Sequence, residues 1–404
     1  MQQNSQTSST AKKWRVAVVV QRYGEEVSGG AELHARWLAE HLLCMAHVEV
    51  ITTCAVDYYT WDDYYSPGES ILNDVSVHRF PVDAPRHWKK FRKVTGRLLR
   101  GNPSLIDQLN WLRQQGPIST PLFDYVEQAY ERFDAFIFFT YLYATTVFGL
   151  PLVANRALLV PTAHEEPFLE LPIFRPVFHL PHTIVYNTTT EKRLVNRVTR
   201  NGHRDHDIVA GIGINVPENA SASRFRKKFN LQDEFVLYVG RIDQSKNVPQ
   251  LLSDFSRYLH ETERNVTLAL IGKGNAEIPA HPAIRPLGFL SEQDKFDAIE
   301  AASVIIVPSR YESLSMLTLE AWMMKRPVLV NGQCAVLKDL CRASNGGLYY
   351  HSFDEFKAAL TLLLDDPTLR ERLGKQGLRH ATQQYDWPVI LEKYRQVFRR
   401  LKPS

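Results

Sequence analysis

The sequence predicts an α/β protein of two Rossmann-like domains whose parallel sheets face a central cleft. Three observations predict it. Short continuous apolar runs alternate with amphipathic stretches from end to end, as expected of parallel strands covered on both faces by helices. The runs fall into two series, separated at 210–233 by a segment with two glycines, a proline and a basic stretch. The chain has 404 residues, enough for two cores.

The first series opens with the β-branched run 15–20, followed by Gly29-Gly30 and an amphipathic stretch over 31–43. Runs at 48–53, 75–80, 135–139, 157–161 and 183–186 follow, each closed by turn or helix signals. The second series comprises 235–239, 267–271, 284–287, 304–307 and 327–330. A last helix over 388–401 carries Ile390, Leu391, Tyr394, Val397 and Phe398 at helical spacing, with Lys393, Arg395, Arg399 and Arg400 outside. The uncharged stretch 135–155 has the length of a membrane span. Its threonines at 140, 145 and 146, then Gly149 and Pro151, divide it instead into a short buried strand and a separate segment.

Composition narrows the function. Lys and Arg total 48 against 44 Asp and Glu, too even a balance for a nucleic-acid binder. With 44% hydrophobic and 23% charged residues, the chain is neither disordered nor collagen-like. Cys44, Cys54, Cys334 and Cys341 form no disulfide framework and no CxxC zinc spacing, and read as buried or semi-buried thiols. Residues 1–10 are polar without an apolar core and read as a frayed tail, so the expected location is cytoplasmic.

Four segments carry chemistry. Ser309-Arg-Tyr-Glu312-Ser-Leu-Ser-Met-Leu-Thr-Leu-Glu320 follows the run 304–307 and opens an apolar-periodic helix through Leu314, Leu317, Ala321 and Met324. Backbone N–H groups at a helix start favour an anion. Two carboxylates eight residues apart are separated by at most about 12 Å along a helix. That suits a ligand with hydroxyl groups at both ends and a phosphate between; two solvated surface glutamates are the alternative. Val239-Gly240-Arg241-Ile-Asp-Gln-Ser-Lys246-Asn247 places two cations in a strand-to-helix turn. Leu270-Ile-Gly272-Lys-Gly274-Asn lacks the third glycine of a dinucleotide site, which disfavours a nicotinamide enzyme. His164-Glu165-Glu166 ends the run 157–161, at the sheet edge where ligands bind in α/β folds; a purely structural histidine is the alternative.

Together these residues resemble the retaining glycosyltransferases of family 4, over most of the chain from Gly29-Gly30 to the Trp387 helix. The Glu312-x7-Glu320 pattern is the most specific element. The resemblance implies a GT-B fold with an acceptor-binding domain, 1–218, completed by a C-terminal helix, 386–404, and a nucleotide-sugar-binding domain, 219–385. It implies that Glu312 faces the donor sugar and Glu320 the ribose, that Arg241 and Lys246 neutralise the diphosphate, and that His164 lies near the anomeric centre. It implies further that the Gly29-Gly30 backbone approaches phosphates and acceptor, and that Gly288-Phe289-Leu290 contacts the base through main-chain groups. Gly240, Gly272, Gly274, Ser313, Leu314 and Ser315 complete the implied donor site. After its first glutamate the family often has a small-large-Gly sequence, where this chain has Ser313-Leu314-Ser315.

The implied reaction moves a hexose or deoxyhexose from a UDP- or GDP-sugar to a glycan or lipid-linked glycan, as in polysaccharide biosynthesis. It retains configuration by front-face attack, with no metal or other cofactor. A sugar-nucleotide epimerase, or a non-catalytic nucleotide-sugar-binding or peripheral membrane protein, are the competing readings. Two segments bear on the acceptor. Asp57-Tyr-Tyr-Thr-Trp61-Asp62-Asp63-Tyr-Tyr65 reads equally as sugar-stacking aromatics or as a packed loop, and its Asp pair is assigned no metal. The stretch 86–100 holds seven Lys and Arg without an acid, with Trp88, Phe91, Val94 and Leu98 at helical spacing. It reads as a solvated basic face or as peripheral contact with the cytoplasmic face of the inner membrane.

Overall fold

Buried β-branched and aromatic runs form the strands. In the computed structural model, Val16–Val19 and all of Ala135–Phe139 are fully buried. The model describes residues 13–27, 29–202 and 204–401, so the expected tail at 1–10 lies outside the described residues.

Among the described residues the first sheet has eight strands: β1 Trp14–Val19, β2 Ala46–Thr53, β3 Gly68–Leu72, β4 Val75–Phe80, β5 Ala135–Phe139, β6 Ala157–Val160, β7 Thr183–Tyr186 and β8 Ile208–Val209. Their order is β3-β4-β2-β1-β5-β6-β7-β8. The second sheet has six: β9 Phe235–Val239, β10 Thr267–Ile271, β11 Ile284–Gly288, β12 Val304–Val307, β13 Val328–Asn331 and β14 Gly347–Tyr350, in the order β11-β10-β9-β12-β13-β14. Every ladder is parallel except β3–β4. This is the GT-B architecture of two facing α/β domains.

β3, β8 and β14 are not among the strands read from the sequence. β3 is an exposed edge strand with no apolar run to mark it. It pairs with β4 through Asn73-Asp74, both at positive φ (49° and 63°), as a two-residue hairpin demands. The uncharged stretch 135–155 divides into β5, a short helix Ala144–Gly149 and a 3₁₀ segment Leu150–Arg156. No helix among the described residues is long and apolar enough to cross a membrane. Of the four cysteines, Cys44 is exposed and the other three are buried.

The helices of the first domain include α1 Gly30–Leu42, α2 Trp88–Leu98 and α3 Leu105–Gln115. The helix Trp387–Arg400 lies against the first domain. His41 of α1 stacks on Trp387 with ring centroids 3.6 Å apart, and Trp387 Nε1 donates to Asn215 Oδ1 at 2.7 Å. A Cβ on Gly213 would lie 2.3 Å from the Trp387 ring, so the chain passes there only as glycine. The helix Ala222–Phe229 is tied to the second domain by buried Asp297, which accepts from Ser221 N–H at 2.7 Å and from the Arg224 guanidinium.

Candidate active site between the two sheets

In the second sheet the strand order reverses between β9 and β12, so their following segments diverge and open a crevice at the carboxyl edge. Arg241 and Lys246 leave β9, and Glu312 leaves β12. Lys246 Nζ donates to Glu312 Oε1 at 2.7 Å, and the Glu312 side chain is only 13% exposed. Asp243 caps the 3₁₀ turn Gln244–Lys246, accepting the Lys246 N–H at 3.1 Å and the Ser245 hydroxyl at 2.6 Å. Arg241 Nη2 reaches Ser245 Oγ at 2.8 Å, and its side chain is half-exposed, with Asp243 its one ion-pair partner among the described residues, at 3.7 Å. Lys246 is therefore held by a carboxylate, while Arg241 stays half-exposed beside Asp243 and Ser245.

The glycines act on this turn from the side. Gly240 N–H donates to Ile271 O, Ile242 N–H to Lys273 O and Gly272 N–H to Gly288 O, each at 2.8–2.9 Å. A Cβ on Gly272 would lie 1.9 Å from Gly240 O, and one on Gly274 2.0 Å from Ile242 O. These glycines let the segments after β9, β10 and β11 lie side by side as one layer under the cleft. Gly288, at φ 75°, turns the chain into an exposed Phe289 and a half-buried Leu290. Asn247, which closes the segment after β9, and Asn331, which the sequence reading did not single out, fix the other wall: both are buried and donate through Nδ2 to Pro308 O, at 3.1 and 3.0 Å.

The helix after β12 is Met316–Met323, capped by Ser315, whose hydroxyl accepts the Thr318 N–H. It starts four residues after Glu312, so the expectation that the segment from Ser309 opens the helix, with both glutamates along it, is corrected. The apolar periodicity begins at Leu314, inside the preceding loop, and the rise per residue of a helix does not span the pair. Neither glutamate is a solvated surface group. Glu320 is buried and receives Lys295 Nζ at 2.9 Å. Burial opposes the Lys295 charge, but Glu320 and Glu292 beside it raise its pKa overall.

Across the cleft, His164 follows β6. Its ring lies near-parallel to that of Tyr311, with centroids 6.0 Å apart, so the histidine faces the residue next to Glu312. Its Nε2 is 3.8 Å from Glu166 Oε1, which also accepts the Tyr141 hydroxyl at 2.6 Å. Its buried Nδ1 has no partner among the described residues. Thr140 and Thr162, at the carboxyl ends of β5 and β6, both hold positive φ (59° and 49°), a strained state for β-branched residues. The domains are joined beside this point. Asn187 Nδ2 donates to Ser313 Oγ at 3.3 Å, and Thr188 Oγ1 to Ser313 O at 3.2 Å. Buried Glu191 accepts the N–H groups of Ala163 and Asn187, both at 2.6 Å, and so braces the His164 segment and the domain contact together.

Gly29 caps and Gly30 opens α1, which follows β1, the strand at which the first sheet reverses its order against β5. A Cβ on Gly29 would sit 2.2 Å from Glu32 Oε2, whereas Gly30 faces open space. Glu32 is buried and accepts from Arg22 and Gln21. The 57–65 segment has two sides. Trp61 is a buried anchor donating to Gln115 O at 2.7 Å, whereas Tyr59 is exposed. Tyr58 lies under the Arg22 guanidinium, whose Cζ is 5.5 Å from the ring centroid.

Comparison with known proteins shows what the second domain resembles. Residues 233–366, which carry Arg241, Lys246, Glu312 and Glu320, match the family model described as glycosyl transferases group 1. The second domain is thus similar to the group 1 glycosyltransferases. The α-D-kanosaminyltransferase of Streptomyces kanamyceticus is 27% identical over 201 residues, covering 45% of this chain and 50% of that enzyme. The chain's matches thus span about half the length of the first curated relatives. Solved structures extend the likeness in fold to nearly the whole chain. Sucrose-phosphate synthase from Thermosynechococcus elongatus has a TM-score of 0.72 at 16% identity, covering 96% of this chain and 99% of that one. Anabaena Alr3699/HepE, solved with UDP and glucose, has a TM-score of 0.68 at 14% identity, covering 96% and 100%.

Proposed function

We propose that this chain is a retaining, family 4 glycosyltransferase that moves a hexose or deoxyhexose from a UDP- or GDP-sugar to a glycan or lipid-linked glycan. The observation that carries the reading is the arrangement of Arg241, Lys246 and Glu312 at the β9/β12 reversal, facing His164 across the Tyr311 ring. The complex of HepE with UDP and glucose, a protein of the same fold, supports a nucleotide-sugar donor.

In this reading the diphosphate lies against Arg241, Lys246 and the N–H groups at the start of Met316–Met323. The C1–O bond to the phosphate breaks as the acceptor oxygen bonds to C1 on the same face, and the acceptor's proton passes to the departing phosphate oxygen. Charge builds on that phosphate in the transition state. Fixed cations and helix N–H groups stabilise it with little reorganisation, so the chain's own residues supply the electrostatic work without a metal or cofactor. Glu312 both holds Lys246 and faces the sugar. Glu320, fixed by Lys295 through one oxygen, has carboxylate lone pairs left for ribose hydroxyls. Gly29-Gly30 approaches the phosphates and acceptor, and Gly288-Phe289-Leu290 the base.

The test is product analysis with UDP- and GDP-hexoses and a pooled glycan and lipid-linked acceptor fraction. The expected result is acceptor-dependent release of one nucleoside diphosphate, with the donor's anomeric configuration kept in the new linkage. An epimerised donor formed without acceptor, or binding with no turnover, would overturn the proposal.

A further inference from the structure

We infer that Glu166, anchored by Tyr141, is a positioning residue for His164: it fixes the imidazole proton on Nε2 and makes the ring an N–H donor at the cleft. The tautomer stands on the geometry alone; what the N–H meets rests on the proposed transfer reading.

His164-Glu165-Glu166 offers two acids, and the structure separates them. Glu165 turns outward, its side chain 74% exposed and 3.4 Å from Arg197. Glu166 turns inward and is 17% exposed. Its Oε1 accepts the Tyr141 hydroxyl at 2.6 Å. Tyr141 is buried and edge-on to Phe174 at 5.0 Å, so the core fixes the donor that holds this carboxylate. Burial and the adjacent Glu166 push the Tyr141 pKa well above its usual value, so the hydroxyl keeps the proton it donates. Among the described residues, His164 is the one ion-pair partner of Glu166.

Both ring nitrogens call for the same tautomer. Nε2 lies 3.8 Å from Glu166 Oε1, and Nδ1 is buried with no partner among the described residues. A proton on Nδ1 would bury an unsatisfied donor and also set the Nε2 lone pair against a carboxylate. A proton on Nε2 is attracted to that carboxylate instead. The separation exceeds a hydrogen bond, so the Nε2–H is aimed by charge and still available to an oxygen of the bound substrate.

The backbone is strained where these side chains converge. Tyr141 follows β5 and His164 follows β6, neighbouring strands of the first sheet. Thr140, directly before Tyr141, and Thr162, two residues before His164, are the pair at positive φ. Thr140 N–H donates to Val160 O at 3.0 Å and Tyr141 N–H to Pro161 O at 3.2 Å, tying the two strand ends together. Strain of this kind persists where surrounding contacts over-determine it, and it clusters at active sites.

The first test reads the ring directly. Long-range ¹H–¹⁵N spectra of the histidine-labelled full chain, taken without substrate at about pH 8.5, above the ordinary histidine range, distinguish the neutral tautomers. The His164 signals are those lost in His164→Asn, and the Nε2–H form is expected. The second test is a double-mutant cycle in the transfer assay. Glu166→Ala should lower kcat about tenfold, the scale on which partners that orient a ligating histidine act, with the donor KM unchanged. In a His164→Ala background the same change should cost nothing further, because Glu166 acts only through that ring. Glu166→Gln keeps an oxygen that accepts from both Tyr141 and Nε2, and should retain most of kcat. An Nδ1–H or doubly protonated ring, an equal loss in the His164→Ala background, or Glu166→Gln as damaging as Glu166→Ala would each overturn the inference. The spectra need no nucleotide sugar, so a chain that transfers nothing would sink the transfer reading and leave the tautomer result standing.

Discussion

Arg241→Ala is expected to lower turnover about 100- to 1,000-fold, the loss typical of a preorganised donor aimed at developing transition-state charge. Its side chain is half-exposed and contacts Ser245 Oγ and, more distantly, Asp243, so its removal leaves no buried partner stranded. The melting temperature should stay near the wild-type value while kcat falls. Lys246→Ala differs, because Lys246 also neutralises the largely buried Glu312 at 2.7 Å. That variant should lose both turnover and stability. Steady-state kinetics and melting curves on the two variants separate the roles. An Arg241→Ala enzyme with undiminished kcat would remove this residue from the diphosphate site.

Glu191→Gln should be the most damaging change away from the cleft. The Glu191 carboxyl is fully buried and accepts two backbone N–H groups, from Ala163 and Asn187. Even when protonated, a carboxyl can accept through both oxygens with its hydroxyl hydrogen turned aside, whereas an amide offers its oxygen to only one of the two and sets an N–H donor against the other. Leaving one buried donor unsatisfied costs about 1–3 kcal/mol. Because Ala163 precedes His164 and Asn187 contacts Ser313, kcat should fall together with stability. The deficit should also depend on pH. Burial pushes the Glu191 pKa up from 4.5 to about 8, against the downward pull of the backbone N–H groups. Between those values the folded state keeps a proton that the unfolded chain has released, so the wild type's stability falls as pH rises through this window. Glutamine has no such titration. The gap between the two proteins, measured by denaturant melts, should therefore be widest near pH 4.5 and narrow toward pH 8. A gap constant across that range, or an unchanged kcat, would contradict the assignment.

The parts of the site legible in the sequence are those written locally. Arg241, Lys246, Glu312 and His164 each follow an apolar strand within a few residues, and strand ends are where α/β folds place ligands. What the sequence could not display is pairing between distant residues. Lys295 and Glu320 are 25 positions apart in the chain and meet only when Glu292–Ala301 lies against Met316–Met323. The approach of Tyr311 to His164 depends on how two domains meet. Glu191 sits in Thr-Thr-Glu-Lys-Arg, which reads as an ordinary polar helix start, and only tertiary packing buries it. The edge strand β3 was hidden for the opposite reason, because an exposed strand needs no apolar run. The helix after Glu312 begins later than the apolar periodicity predicts, because Leu314 is buried in the loop and mimics the periodicity of the helix that follows.

The most direct test of a metal-independent diphosphate site at the β9/β12 reversal is a thermal-shift panel of UDP, GDP, ADP and dTDP in EDTA, on wild type and Arg241→Ala. At about a hundred times its Kd, a nucleotide that binds only the folded state adds about 2.7 kcal/mol of stability. The account predicts that one nucleotide raises the wild-type melting temperature without metal and that Arg241→Ala loses the shift. A wild type that no nucleotide stabilises, or a variant that keeps the full shift, would contradict it.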